Sequence, residues 1–314
     1  MENTVAISIA SSKKKQKKYT SAQWNLFFLS IPFLALTFVF YYIPLYGWIY
    51  AFYDYKPGIS LAESRFVGLQ YFKIIFHENS QLVNALKNTF ALSFLSIAVS
   101  PLPILFAVFL SELKGKFFRK LIQTTTTLPN FISWILVYSV FFMFFSTEGV
   151  LNDFLHKLGL PNQSLLVDSD AAWVFQTVVL IWKTLGWGAI IYLAAIAGID
   201  QELYQAAEVD GAGRFRKIWN ITIPGLMPTY IVLLLLAISQ ILSSGGGFEQ
   251  YFVFFNPLVA EKLEVLDYYV YRVGLTQNSI SYATSLGIFK SLISITLLFF
   301  VNWISKLIRG ESIF

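Results

Sequence analysis

The chain has 314 residues, 23 Lys plus Arg against 18 Asp plus Glu, two His, no Cys and 56% hydrophobic residues. Only 13% are charged, about half the share a soluble protein carries, and the mean hydropathy is +0.61, so lipid rather than water is the main solvent. No Cys means no disulfide framework, thiolate metal site or cysteine nucleophile, and His77 and His156 alone cannot build a multi-histidine metal site.

A helix crossing the hydrocarbon of a bilayer needs about 20 mainly apolar residues. Six runs qualify, at 26–49, 84–110, 124–146, 172–198, 226–243 and 282–308. The first is too long for a signal-peptide core and is expected in the mature protein. The fold class predicted is an all-α integral membrane protein with six transmembrane helices, divided into a basic segment 1–25 and a membrane domain 26–314.

Six spans place both termini on one side. Lys13, Lys14, Lys15, Lys17 and Lys18 precede the first span, Lys114, Lys116, Arg119 and Lys120 follow the second, Arg214, Arg216 and Lys217 follow the fourth, and Lys306 and Arg309 close the sixth. That face carries 14 of the 23 basic residues, whereas the opposite loops carry seven, with 11 of the 18 acids. The basic face, with both termini, is therefore expected to be cytoplasmic. The positive charge follows topology, which removes nucleic acid as a partner.

Three outward segments are long, at 50–83, 147–170 and 244–281, and amphipathic stretches at 151–158 and 265–273 are expected as short helices lying on the outer surface. Pro32, Pro44, Pro101, Pro103 and Pro129 lie in or beside spans, and Gly186 and Gly188 are expected to interrupt the fourth. Lipid tolerates such breaks only where neighbouring helices or a wet cavity satisfy the freed backbone groups. No repeat of 20 to 50 residues is visible.

The most informative stretch is the cytoplasmic loop 199–224. Asp200 is placed as the N-cap of a helix whose acids, Glu202 and Glu208, are read as lying early in it, and Gly211 suits the left-handed residue that ends it. A second short helix, 214–219, is expected to end before Pro224. Ala206 and Ala207 are small where an amphipathic helix would carry bulk, which suits a helix seated in a partner's groove; a helix lying on lipid headgroups is the other reading.

This stretch resembles the EAA loop of the permease subunits of binding-protein-dependent ABC importers. Gln205, Ala206, Ala207, Gly211, Ile221, Ile223 and Pro224 match its spacing, and Asp210 and Ala212 complete the usual Asp-Gly-Ala. Two residues depart from the pattern, Gln205 for Glu and Ile223 for Leu. Pro44 to Gly47, Ala51 to Pro57, Phe66 to Leu69, Gly247 to Gln250, Asn256, Pro257, Tyr269 to Arg272 and the terminal Glu311 to Phe314 are similar to the carbohydrate permeases of the polysaccharide or lipoprotein type.

The resemblance implies a type I importer permease fold with a cytoplasmic coupling helix, in the bacterial cytoplasmic membrane. It implies a second homologous permease subunit, two ABC ATPase subunits, an extracytoplasmic solute-binding protein and a carbohydrate substrate. Gln205, Ala206, Ala207, Glu208, Asp210, Gly211, Ala212, Arg214 and Pro224 are then the ATPase-coupling residues. The chain has no Gly-x-x-x-x-Gly-Lys-Ser/Thr phosphate loop, so it is expected to be no enzyme and to hold no cofactor, ATP and Mg²⁺ belonging to the partner ATPases.

Sugars are bound by aromatic faces and neutral hydrogen-bonding groups, which makes Asn130, Trp134, Tyr138, Trp182, Trp187, Ser239 and Gln240 pathway candidates. Lys183 and Lys290 are the formal charges placed within the hydrocarbon and join them; a central Lys costs about 2.5 to 3.5 kcal/mol and needs a partner or a wet cavity. For both, snorkelling or pairing with the sister subunit is the competing expectation. An ion-coupled secondary transporter is the rival function, but no Asp, Glu or His falls inside a span to relay protons. A membrane glycosyltransferase would use Asp168-Ser169-Asp170, which reads better as a turn capping the fourth span.

Overall fold

The computed structural model describes residues 21–77, 80–163, 165–243, 245 and 247–309. The basic cluster Lys13 to Lys18 and the terminal Glu311 to Phe314 lie outside the described residues. The chain forms two compact units, 1–49 and 50–314, each taken by itself.

In the first unit, α1 (Ser21–Thr37) passes into a π turn and then a tighter 3₁₀ winding from Ile43. Trp24, Phe27 and Phe28 pack ring to ring at 5.9 Å. The hydroxyls of Ser30 and Thr37 donate back to the carbonyls of Phe27 (2.7 Å) and Phe33 (2.9 Å), so polar side chains in this apolar helix find local partners.

The second unit opens with β1 (Tyr53–Asp54) paired antiparallel to β2 (Arg65–Phe66), followed by α2 (Gln70–Ile75). Next come α3 (Ser80–Ala98) and α4 (Leu102–Glu112), separated at Pro101, whose missing N–H breaks the winding. After α5 (Lys116–Thr127) a 3₁₀ turn over Leu128–Phe131 leads to α6 (Trp134–Phe145), and then to α7 (Val150–Lys157) and the long α8 (Ala172–Ala197). The elbow comprises α9 (Gln201–Val209) and α10 (Arg214–Lys217), which joins α11 (Ile223–Ser239) through a π turn. The chain continues through α12 (Gly247–Phe254), α13 (Ala260–Leu263), α14 (Leu266–Tyr271) and α15 (Ile280–Arg309).

Among the described residues, six helical stretches are long and apolar enough to cross a membrane: Trp24–Phe52, Ser80–Glu112, Trp134–Lys157, Ala172–Ala197, Arg214–Ser239 and Ile280–Leu307. The number agrees with the sequence reading, but two boundaries do not. The run 124–146 is not one helix, because α5 gives way to the 3₁₀ turn Leu128–Phe131 that contains Pro129, and Ser133 N-caps a new helix, its Oγ accepting from the Leu136 N–H. The helix begun at Arg214 does not stop before Pro224. Winding continues through the π turn Ile218–Thr222 into α11, with Pro224 in the first turn of that helix.

The hub is α8, which packs on α3, α4, α5 and α11. Its glycines do not interrupt it; they allow close approach. A Cβ on Gly186 would lie 2.3 Å from the Thr126 carbonyl oxygen, and one on Gly188 3.2 Å from the Pro103 ring. One end of α8 joins α4 and α11 in a core with Ile104, Ala107, Ala189, Tyr192 and Leu226. The other end packs Phe175 and Val179 against Trp134, Val137, Phe141 and Phe254.

The stretch 265–273 does not lie on the outer surface. Leu266, Tyr269 and Val273 are core residues beside Leu82, Ala85 and Leu286. Two side chains of α3 hold that chain in place: Asn88 Nδ2 donates to the carbonyls of Glu261 (2.8 Å) and Glu264 (3.0 Å), and Thr89 Oγ1 accepts from the Leu266 N–H at 2.8 Å.

Candidate functional site

At the elbow, Asp200 has extended backbone and its carboxylate accepts from the Glu202 N–H at 2.9 Å, the N-cap expected of it. At the other end of α9 the Ala212 N–H donates to the Ala207 carbonyl (2.8 Å) and the Gly211 N–H to the Glu208 carbonyl (3.0 Å), with Gly211 at φ +70°. That is a Schellman close, and it requires the left-handed residue. Nothing lies within 4 Å of a Cβ added to Gly211, so its backbone angle alone disfavours a side chain there.

Glu208 lies in the last turn of α9, not early, where the helix dipole disfavours an acid. Lys217 compensates by donating to it at 2.7 Å, and holds the exposed Glu208 carboxyl below the usual carboxylate range. Two further links tie the elbow to the bundle. Arg214 pairs with the Glu112 carboxylate and also donates to the Glu112 carbonyl (2.7 Å) at the end of α4, and the Tyr204 hydroxyl meets that of buried Thr222 at 2.9 Å.

With those links made inside the chain, the elbow still presents an apolar surface. Leu203, Val209 and Phe215 are 53%, 89% and 78% exposed. Gln205, Ala206, Asp210, Gly211 and Pro224 are exposed as well, and Ala207 and Ala212 are half-buried. Small residues flanked by unpartnered large apolar ones suit a surface received by another protein.

The pathway candidates separate. Lys183 is buried and does not snorkel; its Nζ donates to the carbonyls of Pro129 (3.0 Å), Asn130 (3.2 Å) and Ile132 (2.5 Å) and stands 5.1 Å from the centre of the Trp134 ring. It satisfies the acceptors freed by the break between α5 and α6. Lys290 pairs with Asp267 of α14, within its own chain. Trp134 lies in the core, and Ser239 is buried with its hydroxyl donating to the Leu236 carbonyl (2.7 Å).

Tyr138 packs edge-on against Phe254 at 5.2 Å and Trp182 against Phe141 at 5.4 Å, while Trp187 meets Phe131 edge-on at 5.6 Å. Trp182 and Trp187 keep an exposed face, as does Gln240, and Asn130 is half-buried. Asp168 does not cap α8 directly. Its carboxylate closes a turn just ahead by accepting from the N–H groups of Asp170 (2.9 Å) and Ala171 (3.3 Å).

Several polar residues escaped the sequence reading. Ser96, Ser100, Thr184 and Tyr192 line a cavity of about 220 Å³ between α3, α4, α8 and α11, and Ser93, Ser96 and Ser243 share a smaller one with Gln240. Isolated hydroxyls in apolar runs give no periodic signal; small residues at helix contacts were the only cue. Glu112, the Arg214 partner, is 102 residues distant in sequence and carries no local mark.

A family model described as "Binding-protein-dependent transport system inner membrane component" matches residues 99–310. Protein LplB of Bacillus subtilis (strain 168) is 40% identical over 293 residues, covering 92% of this chain and 91% of that protein. The polygalacturonan/rhamnogalacturonan transport system permease protein YteP of the same strain is 35% identical over 312 residues, 98% of this chain and 96% of that one. Among solved structures, a crystal structure of a bacterial alginate ABC transporter, in complex with its alginate pentasaccharide-bound periplasmic protein, contains a chain that superposes with a TM-score of 0.83. That chain is 33% identical, and the match covers 93% of this chain and 97% of that one.

Proposed function

The chain belongs to the inner membrane components of binding-protein-dependent transport systems, and from that premise we propose how it works. It is a membrane-embedded transport subunit and not an enzyme. Its cargo is an oligosaccharide or polysaccharide fragment handed over by an extracytoplasmic binding protein. A second, homologous permease subunit completes the pathway, and two ATPase subunits supply ATP and Mg²⁺. Both termini face the cytoplasm, with the elbow.

The observation that carries this reading is the elbow's combination of rigid closure and an unpartnered face. Asp200, the Schellman turn and the Glu208–Lys217 and Arg214–Glu112 pairs fix α9 against the bundle, so a push on Ala206 and its apolar neighbours is delivered to α8 and α11 instead of being absorbed by loop motion. Nucleotide binding shifts the access equilibrium only by as much as it favours one state over the other. Along the pathway, Trp182, Trp187, Asn130 and Gln240 have surface to offer a sugar, whereas Lys183, Trp134, Lys290 and Ser239 hold the scaffold.

The test is docking. Gly211→Val, which forces a β-branched residue to positive φ, and Ala207→Trp, which fills the close contact, should leave the protein in the membrane and abolish co-purification of the ATPase. Undiminished co-purification with both variants rejects the coupling role.

A further inference from the structure

The described surface holds a groove of about 310 Å³ beside α5, running from Lys120 past Gln123, Thr124 and Thr127 to Phe131. At 100° per residue, Lys116, Lys120, Gln123, Thr124 and Thr127 fall on one stripe of α5, and Phe117, Phe118 and Leu121 on another. The two stripes suit different surroundings. Phe117 (81% exposed) and Leu121 stand outward as an apolar face suited to lipid. On the polar stripe the Thr127 hydroxyl donates to the Gln123 carbonyl of its own helix at 2.7 Å, which leaves the Lys120 cation, the Gln123 amide and the Thr124 hydroxyl to face the groove.

The groove leads between two points with assigned roles. Its inner end reaches Phe131, which meets Trp187, and both rings are exposed. Its outer end is on the elbow side, because α5 starts just beyond Glu112, the residue that binds Arg214. Lys120 is exposed and has no carboxylate partner among the described residues, unlike Lys217 and Lys290. The rest of the wall is apolar, formed by Leu128, Phe131 and Ile190, and a charge of one sign, unneutralised at the mouth of a cleft, raises the local concentration of opposite charge.

We propose that this groove is the cytoplasmic exit track for the carbohydrate and that Lys120 selects for an anionic one, an oligosaccharide bearing uronic carboxylates. The assignment rests on the permease reading. The Phe131 and Trp187 rings receive the apolar faces of the sugar, Gln123 and Thr124 its hydroxyls, and Lys120 draws its carboxylates toward the elbow side.

The chain has no Cys, so Thr124→Cys and Leu121→Cys each give this subunit one thiol. In the assembled transporter in vesicles, with its binding protein and ATPases, a negatively charged thiosulfonate reaching the elbow side should label Thr124→Cys about tenfold faster than Leu121→Cys, and tetragalacturonate under transport should slow that labelling. Lys120→Gln should cut uptake of tetragalacturonate about tenfold while changing uptake of uncharged arabinotetraose less than twofold.

Equal labelling at the two positions, equal losses for the two sugars, uptake of the uncharged sugar alone, or protection of Thr124→Cys by phosphatidylglycerol and not by sugar would each overturn the assignment. The two levels fail separately. If the ATPase does not co-purify with the unaltered chain the permease reading falls, whereas co-purification with any of those four outcomes removes the groove alone.

Discussion

The chain interrupts its helices at the elbow between α8 and α11 and at the joint between α5 and α6, and it repairs the two by opposite means. At the elbow the loose backbone groups are closed from within: Asp200 caps the start of α9 and the Gly211 turn closes its end. At the joint the carbonyls of Pro129, Asn130 and Ile132 receive a cation from α8, more than fifty residues along the chain. The elbow is largely exposed, and an imperfect closure there can be hydrated. The joint lies among membrane spans, where an unpaired carbonyl must find protein. An exposed break can therefore be built from local sequence, and a buried one needs a remote donor.

Gly186→Ala should have the largest effect on that contrast. The added Cβ would lie 2.3 Å from the Thr126 carbonyl oxygen and 2.7 Å from the Thr127 nitrogen, and backbone cannot turn aside as a flexible side chain can. Separating α8 from α5 should cost about 3 kcal/mol, seen as a lower unfolding midpoint in detergent. An unchanged midpoint would mean that α8 does not seat on the joint.

Lys183→Met comes next. Three acceptors lose their donor at about 1 to 3 kcal/mol each, partly offset by about 2.5 to 3.5 kcal/mol recovered from removing a cation from a span, leaving a net loss of about 2 kcal/mol. The same unfolding measurement reads it. A stabilised Lys183→Met protein would show that the joint satisfies itself as the elbow does. Asp200→Ala should cost about 1 kcal/mol, and because the cap is exposed the loss should appear as faster amide exchange in the first turn of α9, with little change in global unfolding.

The same contrast explains what could be read from the sequence. The six apolar runs, the N-cap at Asp200 and the left-handed Gly211 announce themselves because burial in lipid, capping and positive φ each require certain residue types at fixed local positions. Pro129 marked a disturbance without giving its form, so 124–146 read as one span where the structure has a break. Lys183 looked like a charge seeking a substrate or a sister subunit, since nothing near it in sequence names the three carbonyls it binds. Glu208 was placed on the wrong turn of its helix, and its pairing with Lys217 across the turn follows only once α10 is in place. The outer stretch 265–273 shows the same limit: its amphipathic pattern fits either a lipid surface or a core, and Asn88 and Thr89 from α3 decide for the core.

The smallest effect concerns that elbow pair and sharpens the comparison through pH. Lys217 lowers the Glu208 carboxyl from its ordinary value by hydrogen bond and charge. A carboxyl lowered in the folded state adds stability that is present above its unfolded value and is lost as pH falls through the folded one. The pair should therefore be intact at neutral pH and release only below the usual carboxylate range, as followed by the carboxyl carbon shift of labelled Glu208. Because the carboxylate is exposed, added salt should weaken the pairing, and Lys217→Gln should return the titration to the ordinary carboxylate range. If Glu208 already titrates there in the unaltered protein, Lys217 does not clamp the turn, and Arg214 on Glu112 is left as the charged tie between elbow and bundle.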